Sequence, residues 1–548
     1  MNSSAGTVQA EAEMARRRRE ESLELPETLG EFVRERAALM GERVAAVWFD
    51  QQRSLTYREL DVQANRLADS LMALGVRKGS HVALMLGNSP AFPLSWVALG
   101  RLGAVMVPVN TAYTEEEIQF VLSDSDAQYL IVDAAFLPRI QAMRELPPLL
   151  DAGRIIVHGA AHDGPRWEDL VEQGRADFVS TTPVARTDLL NLQYTSGTTG
   201  FPKGCMLSHD YWMIHANNSA RHRRSAEGGI ENVLIWAPFF YMDPMWQFLM
   251  TLKLGGTAYI ADRMSLTRFM DWLVSYRIHY CIFPEPALSQ HPASERDAQV
   301  QLRYVSIYGW TESARREVRR RFNVVAREGY GMTEIGTGSL VPAWADDKAI
   351  LRTCGLPMVF REFQICDEAG QPVSDGEAGE LCVAGRGIFW GYYKRPQANA
   401  ESFRGRWFRT GDIFRRDDDG FYYLVGRIKE MIKRAGENIA ANEVEAVLRS
   451  LDGIEEAAVV PVPDPLRREE VKAYLKLRQG LTRDDLPPER VFEHCTRHLA
   501  AFKVPRYLQY MVDDFPRTPS RKIAKKTLIA QVQDPLAGVY DRQEARWR

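Results

Sequence analysis

Residues 194–204 read YTSGTTGFPKG. Hydroxyls at Thr195, Ser196, Thr198 and Thr199 stand among glycines, and Lys203 closes the run. Gly197, Gly200 and Gly204 let the backbone approach a ligand closely, so consecutive amides, hydroxyls and one ammonium can converge on a polyanion such as a triphosphate. The same residue types also make an ordinary surface turn. No GxxxxGK[ST] register fits, so the stretch is not a Walker loop, and the rest of the chain must decide between cradle and turn.

On the upstream side, short apolar runs alternate with helical periodicity. Residues 44–49 read as a strand; Thr56 with Glu59 three positions on forms a capping box, and Leu60, Leu67, Leu71 and Leu74 supply an apolar helical stripe. Strands at 82–86 and 105–109 flank a helix at 91–102, and 123–133 ends in another buried-strand run. Downstream, strands at 233–238, 255–260, 280–283, 303–308 and 324–330 continue the pattern. Such alternation predicts an α/β fold, with mostly parallel sheets covered by helices and ligands bound at strand carboxyl ends. The texture then changes. Short strands at 379–384, 411–414 and 421–425 predict a β-rich subdomain at about 350–425, and a small α+β domain follows with elements at 442–448, 457–462, 472–477 and 491–500. The expected division is a flexible segment 1–25, a large N-terminal domain 26–427 and a small, mobile C-terminal domain 428–548.

With 548 residues, 45% hydrophobic and 26% charged, the chain has the composition of a globular protein of several domains. A net charge of −3 supplies no global drive toward nucleic acid, and no apolar run is long enough to span a membrane. Cys205, Cys281, Cys354, Cys366, Cys382 and Cys495 form no CxxC pair, which argues against a disulfide framework or structural zinc and favours a reducing cytoplasm. The basic run Arg16 to Arg19, with acids on both sides, reads as a solvated N-terminal helix. Oligomeric state cannot be read from the sequence.

Four further strings carry chemistry. Residues 329–336 read GYGMTEIG, where Tyr330, Gly331 and Met332 can flank a flat base, Thr333 can donate to a phosphate oxygen and Glu334 offers magnesium one hard oxygen. Residues 409–412 read RTGD, and Asp412 suits two ribose hydroxyls, although a turn Asp is the competing explanation. Residues 426–445 read GRIKEMIKRAGENIAANEVE and end in a helix capped at Asn442 with Glu445 three positions on, or else form a charged linker. Residues 516–526 read PRTPSRKIAKK and place Lys522 in a basic, proline-punctuated tail.

In this order and spacing the strings resemble the adenylate-forming superfamily of acyl-CoA synthetases, peptide-synthetase adenylation domains and luciferases. The resemblance runs from LTYREL at Leu55 to Lys522 and includes GEL from Gly379, GYYKRP from Gly391 and AAVVPVPDP from Ala457. GENI at Gly436 and PVN at Pro108 look most like the CoA ligases of fatty and carnitine-type acids. The resemblance implies two half-reactions: a carboxylate attacks the α-phosphate of ATP to give acyl-AMP, and coenzyme A then displaces AMP. It assigns the β- and γ-phosphates to the Thr195–Lys203 run, with Ser196, Gly197, Thr198, Thr199 and Gly200 between. It assigns the α-phosphate to Thr333, Mg2+ to Glu334, the ribose to Asp412 beside Arg427, and the adenine loop to Gly309 and Trp310. Lys522 would bridge carboxylate and α-phosphate, Lys429 would be the pivot of the small domain, and Gly436 would line the pantetheine tunnel. Tyr241 would stand where relatives carry histidine, and Trp236, Met242, Met245, Trp246 and Trp310 would enclose a bulky, apolar acid.

Two departures fall on the adenylating arrangement. Tyr308–Gly309–Trp310–Thr311 replaces the usual Gly-Gly-Ala-Pro, and Arg521 replaces the glycine before the lysine. They raise the possibility that only thioester formation from a supplied acyl-AMP survives. Acyl loading onto a carrier protein and a non-catalytic binding paralogue stay open as well.

Overall fold

The computed structural model describes residues 3–161, 163–195, 202–223, 228–434, 437–499, 501–518 and 522–548. They fall into two compact units, Met1–Glu362 with Val383–Phe408, and Phe363–Cys382 with Arg409–Arg548. The sequence placed the division at 427/428. Strand Tyr422–Arg427 instead stays with the second unit, where Arg427 lies opposite Asp412 in the neighbouring strand.

The large unit contains two sheets. In the first, Ile155–His158, Tyr129–Asp133, His81–Met85, Val105–Pro108 and Leu189–Thr195 lie parallel in that order, and Lys203–Ser208 folds back antiparallel on the last. Nine strands form the second, whose parallel centre runs Ala326–Met332, Tyr304–Ile307, Tyr280–Ile282, Asn232–Ile235, Thr257–Ile260 and Val44–Trp48. The expected parallel α/β architecture is therefore present, because near-continuous apolar strands are buried on both faces by helices. Thr56 and Glu59 form the expected capping box at the start of helix Tyr57–Ala73, an arrangement worth about 1 kcal/mol. Leu74 falls just past that helix and is partly exposed, so the stripe ends at Leu71.

The N-terminal segment differs from its expected character. Ser3–Glu21 is a helix, and Glu13 and Arg17 on it are buried. Arg221 binds Glu13 at 2.5 Å and Glu20 at 2.6 Å, while Glu21 accepts the Phe360 N–H at 2.8 Å. Local charge balance suggested solvation; partners some 200 residues away bring these charges inside instead.

In the second unit, Ile454–Asp464 and Arg468–Leu477 form a long antiparallel pair around which a seven-stranded sheet is built. Val444, Leu448, Val459, Val471, Leu475, Phe492 and Leu508 fill its core. The helix expected at Asn442 is Ala441–Arg449, with Ala440 at its N-cap and no side-chain cap. Glu445 serves a tertiary role instead, accepting the Val459 N–H at 2.7 Å and pairing with Lys525 at 2.7 Å. No described helix is long and apolar enough to cross a membrane, and all six cysteines are free and buried.

Candidate active site

The phosphate-cradle candidate sits on the hairpin formed by Leu189–Thr195 and Lys203–Ser208, with Thr195 opposite Lys203. Leu190, Leu192 and Tyr194 anchor its first strand by burial, and the Tyr194 hydroxyl donates to Asp124 at 2.8 Å. Burial, reinforced by the Asp124 charge, pushes that phenol far up, so it stays a neutral donor. Ser196, Gly197, Thr198, Thr199 and Gly200 lie outside the described residues.

Lys203 Nζ stands 4.7 Å from the centre of the Tyr392 ring, and the Tyr392 hydroxyl donates to Glu334 Oε1 at 2.7 Å. One tyrosine thus joins a lysine and a carboxylate that are 131 residues apart in sequence. Backbone bonds fix it there. Met206 N–H donates to the Gly391 carbonyl at 3.0 Å, Tyr393 N–H to Gly204 at 2.8 Å and Phe389 N–H to Glu334 at 2.8 Å. The rest of GYYKRP is tied to acids: Tyr393 and Lys394 to Asp126, and Arg395 to Asp124. In the sequence this string stands out only as a resemblance, and Tyr392 carries no expected role. Its pair of tyrosines followed by two basic residues was the available signal.

Glu334 is buried and Thr333 is half-buried at the turn between Ala326–Met332 and Gly336–Leu340. A Cβ on Gly331 would meet the Gly336 carbonyl at 2.7 Å, so the turn can close only with glycine there. Arg361 was also missed. It is fully buried and donates to the carbonyls of Ile335 at 2.7 Å and Arg386 at 2.7 Å, pinning the backbone beside Glu334. Burial lowers its pKa to about 10, still fully charged at neutral pH.

The candidate acyl wall starts at Tyr241, which precedes helix Met242–Leu254. Asn88 holds the preceding loop, accepting the Phe239 N–H at 2.9 Å and donating to Ala237 and Ala261. Asn110 donates to the half-buried Tyr241 hydroxyl at 3.2 Å; burial raises this phenol, so at neutral pH it acts as a hydrogen-bonding wall and not as a base. Met245 and Trp246 are buried, and Met242 is half-buried. Trp246 Nε1 donates to Asp243 at 3.0 Å and its ring stacks on His215 at 5.9 Å. Trp236 Nε1 donates to the Ile282 carbonyl at 2.7 Å while its ring packs on the core of the nine-stranded sheet.

Trp310 does not face a ligand. It is 2% exposed and packs edge-on against Phe283 at 5.6 Å among Ile307, Val318 and Phe322. Gly309, at φ +69°, turns the chain so that the next side chain enters the core, and Tyr308 is the ring this loop leaves exposed. The sequence put Trp310 on the adenine loop and in the acyl wall; in the structure its ring is buried in this core.

In the second unit Asp412 is buried in strand Trp407–Arg416, directly opposite Arg427, whose Nε lies 2.9 Å from its carboxylate. Glu380, from the GEL string, sets this bend by accepting from Arg409 at 2.7 Å and from the Gly411 N–H at 3.1 Å. Lys522 is exposed, and Thr518 N–H donates to its carbonyl at 2.8 Å. Lys429 lies in the single turn Ile428–Glu430, and Gly436 and Arg521 lie outside the described residues.

Residues 33–393 match the AMP-binding enzyme family and residues 443–522 match the AMP-binding enzyme C-terminal domain. This chain belongs to the AMP-binding enzyme family. It is similar to a crotonobetaine/carnitine–CoA ligase of Citrobacter koseri, 32% identical over 90% of this chain and 97% of that one. Among solved structures it is similar to an anthranilate CoA ligase in complex with anthranoyl-AMP, with a TM-score of 0.84 at 24% identity over 93% of this chain and 98% of that one. An O-succinylbenzoate coenzyme A synthetase from Bacillus subtilis, in complex with ATP and magnesium ion, gives a TM-score of 0.76 at 25% identity over 91% and 99%. The chain is an AMP-forming acid–thiol ligase, and ATP and coenzyme A are the family's substrates.

For an AMP-binding enzyme the two units divide the expected residues cleanly. Thr195, Lys203, Tyr241, Thr333 and Glu334 belong to the large unit, and Asp412, Arg427, Lys429 and Lys522 to the second. The buried Glu334, linked through Tyr392 to the Lys203 ammonium, fits a hard cation shared with phosphate oxygens.

Proposed function

We propose that this chain keeps both half-reactions, adenylating a carboxylic acid and then forming its coenzyme A thioester. The observation that carries this reading is the Lys203–Tyr392–Glu334 constellation, a cation and a carboxylate held on one tyrosine beside the hairpin. In the first step the acid's oxygen attacks the α-phosphorus and the bond to pyrophosphate breaks. Lys203 and Thr195 would neutralise the outgoing phosphates, Thr333 would hold the α-phosphate, and Lys522 would bridge it to the carboxylate. Glu334 would hold magnesium, which supplies charge neutralisation on the triphosphate. Asp412, with Arg427 beside it, would take the ribose. In the second step the thiol sulfur attacks the acyl carbon and the bond to AMP breaks, with Lys429 and Gly436 in the roles that the family resemblance gives them.

The alternative in which adenylation is lost rested on Trp310 and Arg521. Trp310 packs in the core, which weighs against that alternative, and Arg521 lies outside the described residues. A carrier protein in place of free coenzyme A remains a second reading, decided by offering each thiol to the same acyl-AMP. A non-catalytic paralogue would release no AMP from any acid. The buried free thiols support a reducing, cytoplasmic setting. Purified protein given ATP, magnesium, coenzyme A and an acid panel is expected to release AMP and acyl-CoA in equal amounts by mass spectrometry. Acyl-CoA formed only from synthetic acyl-AMP would sink the two-step reading.

A further inference from the structure

The acyl wall contains a charge that the sequence did not reveal. At the end of helix His209–Arg221 the chain carries three buried basic residues in a row, Arg221, His222 and Arg223. Arg221 is satisfied by Glu13 and Glu20. Arg223 is 3% exposed, and all its partners among the described residues are neutral. It donates to the Ser219 carbonyl, to the Tyr280 hydroxyl at 3.0 Å and to Ser306 Oγ at 2.7 Å. Its guanidinium also faces the rings of Tyr280 at 4.6 Å, Tyr304 at 5.1 Å and Trp246 at 5.2 Å. Among the described residues, its Nε and the buried Tyr304 hydroxyl have no hydrogen-bond partner. Ring faces attract a cation but do not replace a counter-anion, and no described carboxylate stands against this guanidinium as one normally does against a buried charge.

Its position points to the acyl group. Tyr304 and Ser306 lie on one strand, and Tyr308 continues the same alternation into the exposed loop at the strand's carboxyl end. Arg223 is bonded to Ser306 and stacked on Tyr304, both on the strand that leads into that loop. Trp246, the third wall, stacks on His215, and a Cβ on Gly336 would lie 3.3 Å from His215 Nδ1. The cage therefore adjoins the last residue of GYGMTEIG, two positions from Glu334. His215 Nδ1 and Gln247 Oε1, both buried here, also have no hydrogen-bond partner.

We propose that Arg223 is a specificity-determining residue that receives a second carboxylate at the far end of the acyl substrate, so that the acid is dicarboxylic and not purely apolar. The inference rests on the ligase reading. The reacting carboxylate goes to the α-phosphate and the distal one forms charge-assisted hydrogen bonds with the guanidinium, gaining the planar match that arginine offers a carboxylate.

The test uses the full chain, acid-dependent AMP release and two series of acids matched in length, monocarboxylic and α,ω-dicarboxylic. The wild type is expected to favour the dicarboxylic series by about tenfold or more in kcat/KM. Arg223→Gln should cut the dicarboxylic-to-monocarboxylic ratio by about 10- to 100-fold, mostly through KM, and Arg223→Lys should restore part of it. Equal use of both series by the wild type, or an unchanged ratio in both variants, would overturn the proposal alone. The wild-type comparison does not depend on the variants folding. Failure of the wild type to release AMP with any acid of either series would instead overturn the ligase reading and the proposal with it.

Discussion

Glu334 and Arg223 are buried charges of the same unit, yet their surroundings differ in kind. Glu334 is met by the Tyr392 hydroxyl, and that ring also carries the Lys203 ammonium, so opposite charges are already assembled at the nucleotide end. Arg223 is met by a carbonyl, two hydroxyls and three aromatic faces. Arg221, two residues earlier, shows that the fold can supply carboxylates at this depth when it needs them. Opposite charges meet within the chain at the first site, whereas Arg223 meets only neutral groups among the described residues and the substrate's second carboxylate would balance it.

The largest effect is expected at Lys522. Lys522→Ala should lower acid-dependent adenylation by about 10² to 10³-fold while thioester formation from supplied acyl-AMP falls far less. Equal losses in the two assays would remove Lys522 from the first step. Next comes Arg221→Leu, which strands two acidic side chains and should cost roughly 3 kcal/mol in a denaturant titration. Tyr392→Phe removes one charge-assisted hydrogen bond to Glu334 and should reduce kcat/KM for ATP by about tenfold at fixed magnesium, with part of the loss recovered as magnesium rises. An unchanged kcat/KM would reduce Tyr392 to packing. The smallest effect is on the stability of Arg223→Met. With no carboxylate left behind, and with Tyr280 and Ser306 bonded to each other at 3.0 Å, the change should stay within about 1 kcal/mol. A loss as large as that of Arg221→Leu would erase the contrast between the two arginines.

Local signals in the sequence were read well where local physics decides. The Thr56–Glu59 box, the helix at 91–102 and the buried strands on either side of it all formed as their patterns dictate. Glu334, Asp412 and Lys203 could be singled out because short strings spell out the chemistry proposed for them. Tertiary pairings were not legible. Glu13 and Arg17 sit in a charge-balanced run that looks soluble, and their burial follows from contacts with Arg221 and the Pro357 carbonyl. Trp310 occupies a position expected to face adenine, but the left-handed Gly309 before it redirects the ring into the core, and residue identity alone does not carry that direction. Arg223 was passed over because an arginine after a helix is ordinary, and only the convergence of two strands and two helices on it makes it otherwise.

Acid-dependent exchange of labelled pyrophosphate into ATP measures adenylation in isolation from coenzyme A. Robust exchange is expected with a matching acid, reduced by about 10² to 10³-fold in Lys522→Ala. Absence of exchange with every acid, alongside consumption of coenzyme A from synthetic acyl-AMP, would contradict adenylation by this chain.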